Sequence, residues 1–259
     1  MSLQKGNGIA IKAKKRFGQN FLVDSSVIDK IVRVVAPLRT DNLLEIGPGK
    51  GAMTVQLLEH LDKLHVIEID RDLIKLLNSF GKDNLVVHQG DILKFDITGL
   101  PKPLRIVGNL PYNISSPILF HLLDSKSHIE DMTFMLQREV VERIVAKSGN
   151  KTYGRLSVMI QAFFEVEMIF TVPPESFEPA PKIDSAIIYL KPLQDCLVDD
   201  LETFEKIVKA SFSQRRKTLR NCLKSFISQD KTSIDLSQRA EMLRVSEFIQ
   251  LTRDYEKQH

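Results

Sequence analysis

The sequence predicts a doubly wound α/β fold, with helices on both faces of a parallel sheet, followed by a small all-helical C-terminal domain. Three observations predict it. Short apolar runs alternate with segments whose apolar residues recur at helical spacing, a glycine-rich turn follows the first run, and no convincing strand follows residue 192. Such alternation implies right-handed crossovers between parallel strands. We therefore predict two domains, residues 1–192 and 193–259.

The elements of the first predicted domain follow one another regularly. Asp24 suits the N-cap of a first helix, because apolar residues recur at helical spacing from Val27 to Val35, and Pro37 ends it. Strands are then predicted at 42–46, 65–69, 85–88, 105–107 and 132–136, and helices at 52–61, 72–80, 117–123 and 139–146. Two more strands, at 165–172 and 185–190, are expected to form an antiparallel pair at the sheet edge. The second domain holds predicted helices at 202–212, 217–227, 236–243 and 247–251.

Composition gives the expected class of protein. The chain has 259 residues, 43% of them hydrophobic and 27% charged, as in soluble globular proteins. We expect no membrane segment and no secretory signal, because no apolar stretch has the necessary length. Cys196 and Cys222 do not make a disulfide framework and fit a reducing cytoplasm. The six His are scattered without ligand spacing, so no metal site is expected.

The distribution of positive charge favours a polyanionic partner. The formal net charge is only +3. Two basic clusters nevertheless stand out: Lys14, Lys15 and Arg16 near the start, and Arg215, Arg216, Lys217 and Arg220 in the C-terminal part. A single run of charge is usually a solvated face. Two separate runs in an otherwise balanced chain indicate nucleic acid, whose phosphates they would contact.

A glycine turn between the first strand of the sheet and the next helix is a weak signal by itself, shared by dehydrogenases, methyltransferases and many other loops. Glycines there let the main chain approach a ligand, and the helix supplies free N–H groups. The dinucleotide spacing Gly-x-Gly-x-x-Gly is absent, because the glycines stand at Gly47, Gly49 and Gly51. Glu45, just before the turn, would repel a pyrophosphate, whereas a zwitterionic ligand bearing a sulfonium would tolerate it.

Two further acids follow the next two strands. Glu68, between Ile67 and Ile69, is placed to accept both hydroxyls of a ribose, and its apolar flanks argue against a plain surface acid. Asp91 follows the third strand. Carboxyl ends of parallel strands line the ligand crevice of an open α/β sheet. We therefore expect both acids in the same site as the glycine turn.

The tetrapeptide Asn109, Leu110, Pro111 and Tyr112 follows the fourth strand. It offers an amide oxygen, a main-chain carbonyl and an aromatic face, which suit an exocyclic amine on a planar ring. Pro111 stiffens the turn because its ring fixes φ. By itself the tetrapeptide could be an ordinary strand-to-helix turn. Preceded by the glycine turn and the two acids, in that order, it is far more specific.

These motifs resemble the S-adenosylmethionine-dependent amino-methyltransferases, which have a Rossmann-like sheet. More narrowly, they resemble the bacterial small-subunit ribosomal RNA adenine N6,N6-dimethyltransferases. The resemblance runs from residue 14 to residue 252. It rests on five motifs: RFGQNFL at 16–22, EIGPG at 45–49, NLPYNIS at 109–115, FEPAPKIDS at 177–185 and QRRKTLRN at 214–221.

The resemblance implies site residues. S-adenosylmethionine would contact Asn20, Leu22, Glu45, Gly47, Gly49, Glu68, Asp91 and Asn109. Glu68 would hold the ribose, Asp91 the adenine amino group, and the main chain at Gly47 would lie near the methionine end. Asn109 and the carbonyl of Leu110 would accept the amine hydrogens of the target adenine. Tyr112 would stack on one face of that base and Phe177 on the other.

The resemblance also implies a substrate and partners. The substrate would be two adjacent adenosines near the 3′ end of small-subunit (16S) ribosomal RNA. The partner would be the immature small ribosomal subunit, met by a cytoplasmic monomer that also takes part in subunit assembly. The two basic clusters would bind phosphates, which gives affinity and placement rather than sequence readout.

Three other functions remain open. The antibiotic-resistance methyltransferases of large-subunit RNA share Gln-Asn-Phe and the Asn-x-Pro-Tyr turn, but 173–177 and 214–221 fit the small-subunit family better. Methyltransferases of protein glutamine normally carry Asn-Pro-Pro-Tyr, and Leu110 argues against them. A non-catalytic assembly or transcription factor of the same ancestry is the third. The intact acids and the 109–112 turn argue that catalysis is retained.

Overall fold

The structure is a computed structural model that describes residues 13, 14, 17–195 and 197–258. Those residues form nine strands: β1 Phe21–Leu22, β2 Asn42–Ile46, β3 Leu64–Glu68, β4 Leu85–Gln89, β5 Leu104–Asn109, β6 Ile129–Gln137, β7 Phe164–Val172, β8 Phe177–Glu178 and β9 Ser185–Pro192. The same residues form nine α-helices: α1 Ser25–Val35, α2 Ala52–Leu58, α3 Arg71–Asn78, α4 Ser115–Leu123, α5 Arg138–Ile144, α6 Arg155–Gln161, α7 Leu201–Ser211, α8 Leu219–Cys222 and α9 Val245–Glu256.

Seven strands form one sheet in the order β4-β3-β2-β5-β6-β9-β7, and β1 pairs with β8 in a separate two-stranded sheet. β2 is parallel to β3 on one side and to β5 on the other, and β3 is parallel to β4. The chain thus winds outward from β2 to β4 and then returns to the other side of β2. This is the doubly wound order that the alternation of elements predicts, and it places a reversal of winding between β2 and β5.

The central strands are covered on both faces. Leu43 and Leu44 are adjacent in β2, so their side chains point to opposite faces of the sheet, yet both are 0% exposed. Apolar side chains buried on both faces are typical of a parallel sheet between two layers of helices. β2 accordingly carries apolar residues on both faces, with Glu45 as the one charged residue among them.

The last two long strands lie at one edge of the sheet, as predicted. β9 and β7 are neighbours at the end of the strand order. The N–H of Leu193, just after β9, donates to the carbonyl of Phe163, just before β7, at 2.9 Å. The end of one strand therefore lies beside the start of the other, which is the arrangement of an antiparallel pair.

The described residues divide into two compact units. The first runs to Ile129 and includes Thr133–Leu136 and Val172–Ser185, and the second contains Glu130–Met132, Gln137–Thr171 and the residues from Ala186 onward. Beyond residue 193 the described residues form helices and turns and no strand, as expected for the C-terminal region. A separate domain at 193–259 stays a prediction.

The C-terminal helices differ from the prediction in extent. The helix expected at 217–227 is limited to α8, because the N–H groups of Leu219 and Arg220 donate to the carbonyls of Gln238 and Leu236 and the chain turns after Cys222. At 236–243 only the single 3-10 turn Ala240–Met242 forms. α9, in contrast, is longer than expected.

Candidate active site

Two turns meet where the winding of the sheet reverses. β2 and β5 are parallel neighbours with Ile46 opposite Gly108, so their carboxyl ends lie side by side. A Cβ added to Gly108 would stand 2.6 Å from the carbonyl oxygen of Ile46, so only glycine permits this close approach. The glycine turn leaves the end of β2, and the turn at 109–112 leaves the end of β5. Ligands of open α/β sheets bind at such a reversal.

The glycine turn presents main chain to an open space. Gly47 and Gly49 have φ of 66° and 58°, in the left-handed region that favours glycine. The N–H of Gly47 donates to the carbonyl of Ile67 at 3.0 Å, which ties the turn to β3. A Cβ added to Gly47 would meet one atom within 4 Å, the carbonyl oxygen of Asn109 at 3.9 Å. The turn therefore has the form of a cradle for a ligand.

Glu68 ends β3 and is 6% exposed. Its Oε1 accepts from the N–H groups of Ile69 at 2.8 Å and Asp70 at 2.9 Å, and its Oε2 accepts from the N–H of Gly49 at 3.4 Å. Burial raises the pKa of Glu68, while these three N–H groups act against the rise. Because Oε2 makes one long hydrogen bond, it can accept a further donor such as a hydroxyl.

Glu45 lies deeper than the sequence suggests. It is 1% exposed, and its Oε2 accepts from the hydroxyl of Thr54 in α2 at 2.7 Å. Burial, with a smaller contribution from the charge of Glu68, raises the pKa of Glu45 to about 7, against the effect of the Thr54 hydrogen bond. The side chain thus has almost no surface to offer a cofactor directly, in contrast to its predicted contact.

Asp91 lies next to the end of β3. The N–H of Gly90 donates to the carbonyl of Glu68 at 3.0 Å, which fixes the turn that carries Asp91. Oδ1 of Asp91 accepts from the N–H of Leu93 at 3.0 Å and caps a single helical turn. The described residues offer no hydrogen-bond partner to its second oxygen. The structure therefore brings the glycine turn, Glu68 and Asp91 to neighbouring strand ends.

Asn109 ends β5 with a fixed side-chain orientation. Its Nδ2 donates to the carbonyl of Asn20 at 3.0 Å. A carbonyl can only accept, so this contact selects one of the two orientations of the amide. Oδ1 is consequently left as an acceptor for which the described part of the chain supplies no donor.

The turn after Asn109 leaves one carbonyl free. The carbonyl of Pro111 accepts from the N–H of Ile114 at 3.1 Å, and that of Tyr112 accepts from the hydroxyl of Ser115 at 3.2 Å. No described residue donates to the carbonyl of Leu110. The turn thus presents two unpaired acceptors, Oδ1 of Asn109 and the carbonyl oxygen of Leu110, which are the two that the sequence predicts.

The two predicted aromatic contacts differ in exposure. Tyr112 is half-buried, and its hydroxyl shares a 2.6 Å hydrogen bond with that of Ser185. Burial raises the pKa of Tyr112, and the Ser185 hydrogen bond opposes the rise. Phe177 is 4% exposed and lies opposite Leu22 in the β1–β8 pair. Tyr112 therefore has surface for a base, whereas the ring of Phe177 is covered by protein.

The first basic cluster does not form a free surface at Lys14. Its Nζ lies 2.6 Å from Oδ1 of Asp70 and 2.6 Å from Oδ2 of Asp72. The hydrogen bonds that Lys14 donates to Asp70 and then to Asp72 raise its pKa. The sequence predicts Lys14 as an RNA contact, but in the structure its charge is paired with two carboxylates of the same chain. Lys15 and Arg16, the other members of the cluster, lie outside the described residues.

The second basic cluster is exposed. Arg215, Arg216, Lys217 and Arg220 all face solvent. The first three lie in a turn before α8, although the predicted helix was to begin at Lys217. Nη2 of Arg215 donates to the carbonyl of Lys151 at 3.4 Å. Among the described residues none forms an ion pair with Arg216 or Lys217. Their charges remain available to an external anion.

Several residues at the site were missed by the sequence analysis. Gln19 donates to Oδ2 of Asp70 at 3.2 Å, and Ser185 supports Tyr112. Ile69, directly after Glu68, is 46% exposed, an apolar surface beside a buried carboxylate. Asp70 is the N-cap of α3 and also accepts from Nζ of Lys14, roles that the sequence analysis did not assign to it. Only the exposed position of Ile69 could have been suspected from the strand pattern.

The part of the chain that the structure describes shows neither a metal site nor a membrane span. The described residues contain no group of three or more His, Cys, Asp or Glu that could hold a metal ion. No helix in the same part of the chain is long and apolar enough to cross a bilayer.

The fold and the site define a methyltransferase. The sequence matches the family described as Ribosomal RNA adenine dimethylase over residues 10–257, and the chain belongs to that family. A Nitrosospira multiformis protein named Ribosomal RNA small subunit methyltransferase A is 50% identical over 250 residues, covering 94% of this chain and 96% of that protein. A Saccharophagus degradans protein of the same name is 51% identical over 251 residues, covering 93% and 94%.

Two solved structures are similar over most of the chain. A dimethyladenosine transferase from Plasmodium falciparum superposes with a TM-score of 0.79 at 27% identity, covering 91% of this chain and 97% of that one. The 23S rRNA methyltransferase ErmE superposes with a TM-score of 0.71 at 26% identity, covering 92% and 100%. The predicted family and fold class are thereby confirmed.

Proposed function

We propose that this chain transfers methyl groups from S-adenosylmethionine to N6 of two adjacent adenosines near the 3′ end of small-subunit (16S) ribosomal RNA, giving N6,N6-dimethyladenosines. Its family and the names of relatives that share half of its residues support the proposal. The observation that carries it is the turn after β5. There two unpaired acceptors, Oδ1 of Asn109 and the carbonyl of Leu110, stand beside a glycine cradle.

The donor set fits S-adenosylmethionine. Oε2 of Glu68, which makes one long hydrogen bond, can also accept from the ribose hydroxyls. Asp91 has an oxygen for the adenine amino group, and exposed Ile69 offers apolar surface for the ring. Gly47 and Gly49 would accommodate the methionine end, next to Asn20, Leu22 and Asn109. Glu45 would support the cofactor site indirectly, through its hydrogen bond with Thr54 and through the glycine turn that follows it. When bound, the cofactor supplies a methyl group on a positively charged sulfur, which is already a strong electrophile.

The acceptor side has to make the adenine amine reactive. The lone pair of N6 is delocalised into the ring, so two acceptors on its hydrogens would draw the nitrogen toward tetrahedral geometry. They would also stabilise the positive charge that develops on it. Asn109 and Leu110 can accept these two hydrogens. No strong base is needed, because the methylated nitrogen is acidic enough to lose its proton to water.

A second transfer needs room beside the nitrogen, because the monomethyl amine must rotate and keep one acceptor. Tyr112 would hold the base by stacking. Extracting a base from its stack costs roughly a few kcal/mol, which aromatic stacking largely offsets. Phe177 would stack on the second face of the base, which requires the protein that covers its ring to move away. Positioning the amine in line with the transferring methyl lowers the barrier further.

We further propose the partner and setting. Arg215, Arg216, Lys217 and Arg220, with Lys15 and Arg16 near the start, would bind phosphates of the immature small subunit. Residues 193–259 would serve as the helical domain that makes this contact. The chain would act as a cytoplasmic monomer and take part in subunit assembly.

The test is transfer of label from radioactive S-adenosylmethionine. Small subunits that lack the modification, large subunits and naked RNA are incubated in parallel, and the RNA is hydrolysed to nucleosides. We expect labelled N6,N6-dimethyladenosine from small subunits alone. Label in large-subunit RNA would favour the resistance-enzyme function, and label in protein would favour glutamine methylation. Binding of particles without any label would indicate a non-catalytic assembly factor.

A further inference from the structure

We propose that Lys14 is a positioning residue of the cofactor site, which acts through Asp70 to hold the N-terminal strap against the carboxyl end of β3. The strap is defined as residues 13, 14 and 17–22. This inference rests on the proposed function, because it assigns the strap to retention of S-adenosylmethionine. It gives Lys14 a role different from the RNA contact that its place in a basic cluster suggests.

Asp70 is the fixed end of this connection. Its side chain is 1% exposed. Oδ1 accepts from Nζ of Lys14 at 2.6 Å and from the N–H of Asp72 at 3.0 Å, and Oδ2 accepts from Gln19 at 3.2 Å. The N–H of Asp70 in turn donates to Oε1 of Glu68 at 2.9 Å. A displacement of Asp70 would therefore also shift the carboxylate of Glu68, which is proposed to bind the ribose.

The positive charge of Lys14 compensates buried negative charge at the cofactor site. Asp70, Glu68 and Glu45 are all buried, and the charges of Asp70 and Glu45 lie close enough to Glu68 to interact with it. Among the described residues, Lys14 is the base that forms an ion pair with Asp70. Its removal would leave a buried carboxylate with less compensation, and such a group is destabilising unless it is paired.

The strap also contacts the acceptor side. Its residue Asn20 accepts from Nδ2 of Asn109 at 3.0 Å, and Phe21 and Leu22 pair with β8. The ring of Phe21 lies against the glycine turn, since a Cβ added to Gly49 would be 3.0 Å from it. Within the strap, the N–H of Lys14 donates to Oε1 of Gln19 at 2.8 Å, so Lys14 and Gln19 move together.

The strap therefore spans the site with neutral hydrogen bonds at the acceptor side and the ion pairs of Lys14 with buried Asp70 and exposed Asp72 at the cofactor side. Loss of the charge of Lys14 would let residues 14 and 17–19 separate from Asp70 while Asn20 and β1 stay in place. The expected consequence is faster release of S-adenosylmethionine with little change in the methyl-transfer step. A charge-assisted hydrogen bond is stronger than a neutral one, so glutamine would not replace the lysine.

The test compares Lys14→Gln, Lys14→Arg and Lys30→Gln with the wild-type protein. Lys30 is the matched control, since it is an exposed lysine of α1 for which the described residues provide no ion pair. Affinity for S-adenosylmethionine is measured by calorimetry, its release by stopped flow, and affinity for unmodified small subunits by filter binding over a salt series.

We expect Lys14→Gln to weaken cofactor binding about tenfold, mainly through the release rate. Lys14→Arg should restore affinity to within about threefold, because it can again pair with Asp70. Lys30→Gln should change neither. Asp70→Asn, which keeps a capping oxygen but loses the charge, should weaken binding to a similar degree as Lys14→Gln and add little to it in the double variant.

Two results would overturn the inference. If Lys14→Gln binds the cofactor as tightly as the wild type but binds particles with a smaller salt dependence, Lys14 is a phosphate contact. If the Lys14 and Asp70 variants each weaken binding and their effects simply add, the two residues act separately. A wild-type protein that binds no S-adenosylmethionine would instead overturn the proposed function, and the inference with it.

Discussion

Three carboxyl groups stand at the ends of β2 and β3 in different surroundings. Glu68 accepts three main-chain N–H groups, Asp70 accepts a lysine, and Glu45 accepts one hydroxyl. Hydrogen-bond donors and cations favour the ionised form, whereas burial alone favours the neutral form. Burial raises the pKa of both Glu45 and Glu68, although the three N–H groups oppose the rise at Glu68. At Asp70 burial is outweighed by the hydrogen bonds it accepts, first of all from Lys14, so its pKa is lowered. The fold therefore favours the ionised form of Asp70 and disfavours that of Glu45.

This difference predicts how stability depends on pH. Burial raises the pKa of Glu45 from 4.5 to about 7, so the folded protein binds this proton more tightly than the unfolded chain. Stability is then lost as the pH rises through that window, by up to about 3 kcal/mol. Glu45→Gln keeps an acceptor for Thr54 and removes the titration. Its stability advantage over the wild type should grow by about 1–3 kcal/mol between pH 5 and pH 8.

Urea unfolding at the two pH values measures this effect. Glu59→Gln, at an exposed position just after α2, is the control for the loss of a carboxylate. A difference between Glu45→Gln and the wild type that stays constant from pH 5 to pH 8 would contradict the account of Glu45.

The sequence predicted individual residues of this site unevenly. Glu68, Asp91 and Asn109 follow strands directly, so the position of a strand end is enough to place them. Glu45 was assigned to the ligand because it precedes the glycine turn. Its side chain instead points to Thr54. Successive side chains of a strand point to opposite faces, so the sequence alone does not tell which residues of β2 face the ligand.

At the scale of elements, the glycine turn depends on space as well as on backbone conformation. Gly51, the N-cap of α2, has φ of 82°, and a Cβ there would lie 2.5 Å from the ring of Phe80. Gly81 has a similar φ of 60°, but a Cβ there would have no neighbour within 4 Å. A comparison of substitutions at Gly51 and Gly81 can therefore separate the cost of backbone strain from the cost of a steric clash.

Alanine at these two positions should have different costs. Gly81→Ala should lower the free energy of unfolding by about 1 kcal/mol, the cost of a left-handed residue with a side chain. Gly51→Ala should lower it by about 1–3 kcal/mol more, because the Phe80 ring must move. Denaturant unfolding of both variants measures the difference. Equal losses would mean that Phe80 adapts without cost.

Elements with a clear pattern were predicted, and those without one were missed. α1 and β2 match their predicted positions, because a capping residue or an apolar run defines them. α6 was missed because Ser157, Val158, Met159 and Ile160 are all buried, so it has no polar face to reveal a helical period. At 217–227 the spacing of Leu219, Leu223 and Ile227 correctly indicates a buried side, but burial does not require a continuous helix.

For the whole molecule, the modest net charge hides a local concentration that should govern RNA binding. Double charge reversal, Arg215→Glu with Arg216→Glu, should weaken small-subunit affinity about ten- to a hundredfold at low salt and reduce the salt slope by about 1 per lost phosphate contact. Cofactor affinity should not change, since neither residue is near Glu68 or Asn109 in sequence or bonded to them.

The control for this double reversal is Lys75→Glu with Lys82→Glu, which makes the same change of charge at two other exposed positions. Filter binding over a salt series measures both doubles. If the two doubles weaken binding equally, the effect comes from net charge alone and the cluster has no special role.

Contacts between distant parts of the chain were beyond the sequence analysis. Alternation and the handedness of crossovers predict a doubly wound parallel sheet but not the order of its strands, so the reversal between β2 and β5 is known from the structure. Lys14 and Asp70 are 56 residues apart, and no periodicity links them. A lysine in a basic run looks like a phosphate contact, and only the fold reveals that its charge has a partner.

The central claim is that Asn109, although it lies beside the cofactor, acts mainly on the amine. The measurement is single-turnover methyl transfer to unmodified small subunits by Asn109→Ala, together with calorimetry of S-adenosylmethionine on the same sample. Asn113→Ala, an exposed residue of the same turn, is the control. We predict a rate about 100- to 1,000-fold lower for Asn109→Ala with cofactor affinity within about threefold of wild type. Transfer at the wild-type rate in Asn109→Ala would contradict the account.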